Sequence, residues 1–385
     1  MMAVRGGAVQ VLVINPGSTS TKIALFDRQG ELFRQGVAHP AEELARFPSL
    51  ADQLELRRRT IRQALSRAPQ FRPEELAAVI GRGGLLRPLP GGVYRVSEAM
   101  KADLAACRYG SHASNFGALI ADQLAAEFRR PAFIADPVVV DELSPLARYS
   151  GLPEIPRRSI FHALNHKAVA RRAAGKLGKS YEQCTLIVAH LGGGVSVGIH
   201  QQGRVTDVNN ALDGDGPFSI ERAGGLPSGD WLRYVLAHLE EPEALQRKLT
   251  GRGGVVAYLG TNDARLIEEA IGDYEVRGPG RAVNPGRGGG LDGRLCLEVM
   301  QALCYRIAKE ICSLAAMSAG KLDAVVLTGG LANMERIVSD LSARVSFLAP
   351  VLVFPGENEM EALAAAAWEA LEGRLPVQEY GPPES

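Results

Sequence analysis

The sequence predicts an α/β fold built on an internal duplication, and three observations carry that prediction. Residues 9–32 and 185–205 share one pattern: an apolar strand, a glycine turn, a second strand and a closing turn. Short apolar runs alternate with longer stretches of helical apolar spacing, the order expected of strands packed against helices. Glycine clusters follow several of the apolar runs, at the strand ends where α/β sheets bind ligands.

At 385 residues the chain is long enough for two domains, and 46% hydrophobic with 22% charged residues is an ordinary globular balance. Lys plus Arg and Asp plus Glu are equal at 43 each, so no overall field draws the chain to nucleic acid or to an anionic membrane. Any anion site must be local. The five cysteines contain no Cys-x-x-Cys pair and fit neither a disulfide framework nor a zinc site. Cys296, Cys304 and Cys312 recur within one apolar helical pattern and read as core thiols. The stretch from Met1 to Val9 is too short and glycine-rich for a signal peptide, and no run of about 18 apolar residues is available to span a bilayer. A cytoplasmic protein is expected.

In order, Val11–Ile14 and Ile23–Phe26 are strands around the turn Asn15–Lys22, and Glu31–Ala38 is a third strand. An arginine-rich helical stretch runs from Glu42 to Ser66. Strands follow at Leu76–Ile80 and Val93–Val96, and helices at Ser97–Cys107 and Asn115–Phe128. Pro131–Asp136 is a short buried strand ending in an acid. Ser144–Pro156 holds three prolines and a Ser-Gly pair, which marks it as a domain crossing. Beyond it lie a helix, Phe161–Leu177, and the second hairpin, with strands at Leu186–His190 and Val195–His200. A glycine-rich stretch, 278–293, precedes a long helix, Leu295–Ala319. The strand beginning at Asp323 runs into Gly329-Gly330 and a helix. A strand at Val351–Phe354 and an alanine-rich helix at Glu359–Leu371 close the pattern, and 376–385 is expected to be loose.

Two familiar phosphate motifs fail here. Gly178-Lys179-Ser180 lacks the glycine a P-loop needs, since Ala173 stands there, and no Gly-x-Gly-x-x-Gly joins a strand to a helix. The first hairpin turn is chemically richer. Asn15, Ser18, Thr19, Ser20, Thr21 and Lys22 supply hydroxyls, an amide and a cation around Gly17, an inventory that donates to an anion. In Gly81-Arg82-Gly83-Gly84 the guanidinium would emerge at a strand end as a phosphate or carboxylate clamp, or as a surface arginine. Asp136 ends a strand where it could hold hydrated magnesium or cap a turn. Spacing does not place His112, His162, His166 or His190.

Together these residues resemble the acetate/butyrate kinase family, and the resemblance covers nearly the whole chain. It rests on Val13–Lys22, Gly81–Leu86, Phe161–Lys167 and His190–Gly194, while 207–222 is similar to the butyrate side of the family. The resemblance implies a duplicated ribonuclease-H-like pair of domains of the actin-like ATPase kind, 1–153 with 363–385 and 154–362, with ATP or ADP in a cleft between them. Residue by residue it implies that Asn15, Ser18, Ser20 and Lys22 form one phosphate motif and His190, Gly192, Gly193 and Gly194 the other. Gly329, Gly330 and Leu331 then match the adenosine motif. Arg82, His162, Arg222 and His112 match residues around the transferred phosphoryl group. Asp136 matches a magnesium-organising aspartate, and Glu361, or else Glu359, a metal-linked glutamate. The implied partners are a short-chain carboxylic acid, its acyl phosphate and further copies of the chain, dimer or higher. The alternatives are another acid, such as isobutyrate, acetate or propionate, and an ATPase switch that ignores carboxylates.

Overall fold

A computed structural model of the chain describes residues 9–17, 19–39, 41–44, 47, 50–278 and 290–381. The chain divides into two compact units: Met1–Asp141 with Ala163–Asn165 and Asn358–Ser385, and Glu142–His162 with His166–Glu357. The division thus falls ahead of the expected boundaries at 153 and 362. In chain order the elements are β1 (Gln10–Pro16), β2 (Ser20–Phe26), β3 (Glu31–Ala38), α1 (Ala41–Leu44), α2 (Leu50–Ser66), β4 (Leu76–Arg82), β5 (Val93–Arg95), α3 (Glu98–Ala105), α4 (Asn115–Glu127) and β6 (Ala132–Ala135). Next come α5 (Ala163–Lys176), β7 (Thr185–Leu191), β8 (Val195–Gln201), β9 (Arg204–Val208), α6 (Ser228–Leu236), α7 (Pro242–Leu249), α8 (Gly254–Leu259), α9 (Ala264–Arg277), α10 (Gly293–Ala315), β10 (Ala324–Gly329), α11 (Glu335–Val345) and β11 (Val351–Pro355). The chain then returns to the first unit with α12 (Glu359–Leu371) and β12 (Val377–Glu379).

The duplication extends from the two hairpins to whole sheets. In the first unit the strand order is β12-β5-β6-β4-β1-β2-β3, and in the second β11-β10-β7-β8-β9. β1 and β2 are antiparallel, as are β2 and β3, whereas β1 with β4 and β4 with β6 are parallel. β7 to β11 repeat that series of pairings in the same senses. The central strands are covered on both faces, which is why they read as unbroken apolar runs: Val11 to Ile14 and Leu186 to Ala189 are fully buried.

Where β4 ends, backbone meets backbone. A Cβ on Gly81 would lie 2.1 Å from the carbonyl oxygen of Gly117 in α4, and one on Gly117 would lie 2.1 Å from that of Arg82. Only glycine at both positions lets the helix seat against the strand end that carries Arg82. On the same sheet α12 packs against β1 and β4, and its alanines allow the close fit.

Several expectations need correction. The helix foreseen over 42–66 is two helices, α1 and α2, with 45, 46, 48 and 49 outside the described residues. β9 and α6 to α9 were not foreseen. β9 follows a two-residue turn in which Gln202 and Gly203 have φ of 53° and 76°, the left-handed pair that suits a tight hairpin. The chain end is ordered through Gly381: β12 pairs in parallel with β5, and Tyr380 donates its hydroxyl to Asp103 Oδ2 at 2.8 Å. Residues 279–289 of the glycine-rich stretch lie outside the described residues. Cys184, Cys296 and Cys304 are buried, and burial pushes the Cys304 thiol up to about 12. No helix among the described residues is long and apolar enough to cross a membrane.

The second unit also buries two imidazoles, His166 on α5 and His200 on β8. Burial, helped by nearby His190, pushes His166 down to about 3, and burial also holds His200 well below the usual histidine range. Both rings are therefore neutral in the fold.

Gly117→Ala is expected to lower stability by roughly 1–3 kcal/mol, read as an earlier urea unfolding transition, because the added methyl has no room beside the Arg82 carbonyl; an unchanged transition would refute the contact. The buried imidazoles predict an acid-labile fold. Their folded pKa lies below the unfolded value of about 6.5, so the unfolded chain takes up protons first. Stability should be level above about pH 6.5 and then fall by about 1.4 kcal/mol per pH unit for each ring as pH drops toward the folded value. Urea unfolding that is identical at about pH 7 and about pH 5 would contradict this.

Candidate active site

In the first unit the turn after β1 is closed by the Gly17 amide donating to the Ser20 carbonyl at 2.7 Å. Ser18 lies outside the described residues. Lys22 is exposed and Ser20 half-buried, while Asn15 is buried at the strand end. Two residues that the sequence reading missed brace this turn. Arg57, 1% exposed on α2, donates Nη1 to the Gly17 carbonyl at 2.9 Å and lies 4.5 Å over the Phe116 ring. His39 donates its amide to the Thr19 carbonyl at 2.8 Å, and its Nε2 is 2.9 Å from Thr21 Oγ1. Arg57 thereby sets a buried cation beneath this turn.

Arg82, the last residue of β4, meets Glu359 of α12 through both nitrogens, Nη2 to Oε1 at 3.1 Å and Nη1 to Oε2 at 3.2 Å. Asn15 donates Nδ2 to the same Oε2 at 2.7 Å. The arginine is therefore a clamp on a carboxylate, held at a strand end. Glu361, the first choice of metal-linked glutamate, is instead nearly half exposed and paired with Arg34 at 2.5 Å. Glu359, the second choice, is the one of the two that lies against Arg82 and Asn15.

Asp136 follows β6 with φ at 37°, a conformation uncommon for a non-glycine residue and informative where it is buried. Its Oδ1 accepts from the Gly92 amide at 2.7 Å, and its own amide donates to the Gly92 carbonyl at 3.0 Å. This long-range pair of bonds fixes the carboxylate. His112 Nδ1 accepts from the Ser114 amide at 3.2 Å and lies 2.8 Å from Ser114 Oγ. Among the described residues no three His, Cys, Asp or Glu side chains gather as a ready-made metal site.

In the second unit the turn between β7 and β8 offers bare backbone. Gly192 donates to the Gly194 carbonyl at 3.1 Å, and the Gly193 carbonyl accepts from Ser219 Oγ at 2.6 Å and the Glu221 amide at 3.2 Å. A Cβ on Gly194 would meet Arg222 Nη1 at 2.1 Å, so the missing side chain is the space that the guanidinium fills. Arg222 also donates to the Ala211 carbonyl, and burial lowers its pKa against the opposing charges of Glu221 and Asp213. His190 is buried and stacks on His162, with ring centroids 3.8 Å apart and planes 11° from parallel. At the end of β10, Gly329 has φ at 88° and a Cβ there would lie 2.4 Å from the Leu191 carbonyl. That brings Gly329, Gly330 and Leu331 beside the glycine turn. The 207–222 stretch is anchored by Arg157, which binds Asp207 at 2.8 Å and Asp215 at 2.9 Å.

His162, His190, Gly192–Gly194, Arg222 and Gly329–Leu331 thus share the second unit, and Asn15, Ser20, Lys22, Arg82, His112, Asp136 and Glu359 the first. Arg57, His39, Ser219 and Arg157 were not foreseen. Ser219 alone lay inside a quoted motif; the others carry no local sequence signal.

Comparison with known proteins agrees with this chemistry. The profile of the Acetokinase family matches residues 153–284. Butyrate kinase 2 of Clostridium acetobutylicum is 44% identical over 373 residues, covering 96% of this chain and 99% of that protein. A probable butyrate kinase of Bacteroides thetaiotaomicron is 47% identical over 374 residues, covering 97% and 100%. Among solved structures, an acetate kinase of Porphyromonas gingivalis has a TM-score of 0.74 over 94% of this chain and 99% of its own, at 20% identity, so the fold is shared. Identity at this level along almost the entire length, together with the family profile, makes the chain a member of the acetokinase family.

Proposed function

We propose that this member of the acetokinase family is a butyrate kinase, which moves a phosphoryl group reversibly between ATP and the carboxylate of a short-chain fatty acid to give butyryl phosphate and ADP. The observation that carries the reading is the pair of placed guanidinium groups, Arg82 clamped on a carboxylate and Arg222 seated over a side-chain-free turn. A carboxylic acid with a pKa near 4–5 is ionised at neutral pH, so it attacks the γ-phosphate without a general base. What it needs is relief of repulsion between two anions and neutralisation of the equatorial oxygens in flight.

In this reading Gly192, Gly193 and Gly194 give backbone donors to the ATP phosphates, His190 flanks them, and Asn15, Ser18, Ser20 and Lys22 give side-chain donors and a charge. Gly329, Gly330 and Leu331 receive the adenosine. Arg82, Arg222, His162 and His112 surround the transferred group, with Arg82 passing from Glu359 to the incoming anion. Magnesium, when bound, neutralises phosphate charge. It retains several waters and takes few protein oxygens, so the fixed carboxylates of Asp136 and Glu359 suit it without a three-ligand cluster. The enzyme works as a homo-oligomer, dimer or higher, a role for which Leu232, Leu236 and Leu239 on and after α6 offer apolar surface at 58%, 60% and 62% exposure. A branched or shorter acid with the same chemistry is the second reading, because one methylene in an apolar pocket changes binding by only about 1–3 kcal/mol.

Arg82→Ala and Arg222→Ala are each expected to lower turnover at least about a hundredfold in a folded protein, the usual cost of losing one such donor. Near-normal turnover in either variant removes that residue from the mechanism. Acyl phosphate formation from straight acids of about two to six carbons, and from isobutyrate, should peak at butyrate and decline smoothly on either side. A maximum at acetate or isobutyrate would transfer the assignment to that acid, and ATP turnover indifferent to any acid would end the carboxylate reading.

A further inference from the structure

Five side chains of the second unit form an unbroken row of hydrogen bonds that ends on His162, and the other four have no part in the phosphoryl chemistry above. The Tyr181 hydroxyl lies 2.7 Å from His200 Nδ1, and His200 Nε2 lies 3.2 Å from His166 Nδ1. His166 Nε2 is 2.8 Å from Ser196 Oγ, which is 2.9 Å from His162 Nδ1. His166, His200 and Ser196 are fully buried and Tyr181 is 6% exposed, while His162 stands at the N-terminal end of α5. A Ser196 oxygen that accepted from both His166 and His162 would leave its own buried hydroxyl hydrogen without an acceptor among the described residues, so the row runs in one of two senses. Either every member donates toward His162, or every member donates toward Tyr181.

The chemistry of the Tyr181 end selects one sense. A phenol, with a pKa of about 10, is a far stronger donor than a neutral imidazole N–H, and an imidazole nitrogen with a pKa of about 6.5 is a far stronger acceptor than a phenol oxygen. Lys167 Nζ lies 6.0 Å and Arg171 Cζ 5.6 Å from the centre of the Tyr181 ring, and both cations favour electron withdrawal from its O–H. With Tyr181 donating to His200 Nδ1, His200 must carry its proton on Nε2 and donate it to His166 Nδ1. His166 must then donate from Nε2 to Ser196, and Ser196 from its hydroxyl to His162 Nδ1. His162 is left with its proton on Nε2.

We propose that Tyr181 and His200 are positioning residues which, through His166 and Ser196, hold His162 with its proton on Nε2 so that the ring presents a donor rather than a lone pair to an anionic group. No proton leaves the row; each bond only fixes where its neighbour's proton sits. The bearing on catalysis rests on the proposed place of His162 beside the transferred phosphoryl group. The stack of His190 on His162 holds the plane of the ring, and the row holds its tautomer.

The test uses the full-length protein labelled with nitrogen-15 in histidine. Correlation of ring nitrogens with ring carbon-bound protons, recorded above the histidine titration range, reads which nitrogen of His162 bears the proton; His162→Gln assigns the signal. The wild-type ring is expected to be protonated on Nε2. Tyr181→Phe, which keeps the packing, should let the other tautomer appear and lower kcat roughly tenfold, a fraction of the loss from deleting a whole donor. KM for ATP should change less than about twofold, as expected when only a transition-state contact is weakened. His200→Gln, whose amide can accept from Tyr181 and donate to His166, should keep both readings at their wild-type values, whereas His200→Leu should lose them. A wild-type ring protonated on Nδ1, a tautomer unmoved in Tyr181→Phe, or an altered tautomer with unaltered kcat would each overturn the proposal. The nitrogen spectrum needs no acyl phosphate, so failure of the butyrate kinase reading would show separately, as an intact Nε2 tautomer in a protein that phosphorylates no carboxylate.

Discussion

An arginine at the end of a central strand is a charge that the fold must balance, and much of the first unit is arranged around doing so for Arg82. β4 brings the guanidinium to the edge of the sheet, and the Gly81–Gly117 contact leaves the helix behind it no freedom to drift. The balancing carboxylate comes from α12, 344 residues away in sequence from the Asn15 that shares it. A bidentate pair with an extra amide donor is strong enough to hold the side chain in one pose. Because Glu359 is only 14% exposed, the carboxylate is also difficult to replace by water. An acyl phosphate oxygen is chemically a close substitute for it, which is how a structural contact and a proposed catalytic one can coincide.

The second unit reuses the same sheet with different chemistry at the matching places. β4 and β10 are both the parallel neighbour of their sheet's first strand, yet one ends in Arg82 and the other in Gly329. Likewise the first hairpin turn offers side chains, and the second offers amides cleared of side chains so that Arg222 can lie on them. Duplication supplies two equivalent frames, and divergence lets one specialise in charge and the other in close backbone approach.

The strands that form the middle of each sheet were legible because burial on both faces leaves an uninterrupted apolar run. β9 was not, since its Thr206 and Asp207 break that run and its position depends on the Gln202–Gly203 turn. α6 to α9 were hidden for a related reason: their buried apolar side chains are few, Leu245, Val255, Leu259, Ile267, Ala270 and Ile271, and α6 has none. The choice of Glu361 over Glu359 shows a sharper limit. Two helix residues two positions apart point roughly 200° away from each other, so Glu359 reaches Arg82 while Glu361 reaches Arg34, a difference that a local alignment open by two residues does not resolve. Arg57 and His39 were beyond reach, because what makes them matter is a contact with a turn far from them in sequence. The motifs of the site, by contrast, were legible where glycine had a reason to be glycine.

The first unit is written in two long, distant pieces and a three-residue segment between them, and the order of synthesis gives that arrangement a kinetic meaning. A ribosome delivers β1, β2, β3 and β4 early, yet α12, which covers β1 and β4, and β12, which extends the sheet beyond β5, come last. The second unit, continuous apart from a short segment, can close its core while the first still presents an uncovered apolar sheet face. Long-range closure of this kind is slow, and exposed sheet faces invite association between nascent chains. Loss of α12 and β12 would therefore leave the first unit without both its cover and the carboxylate that steadies Arg82, so that covering the sheet and fixing that arginine are one and the same step.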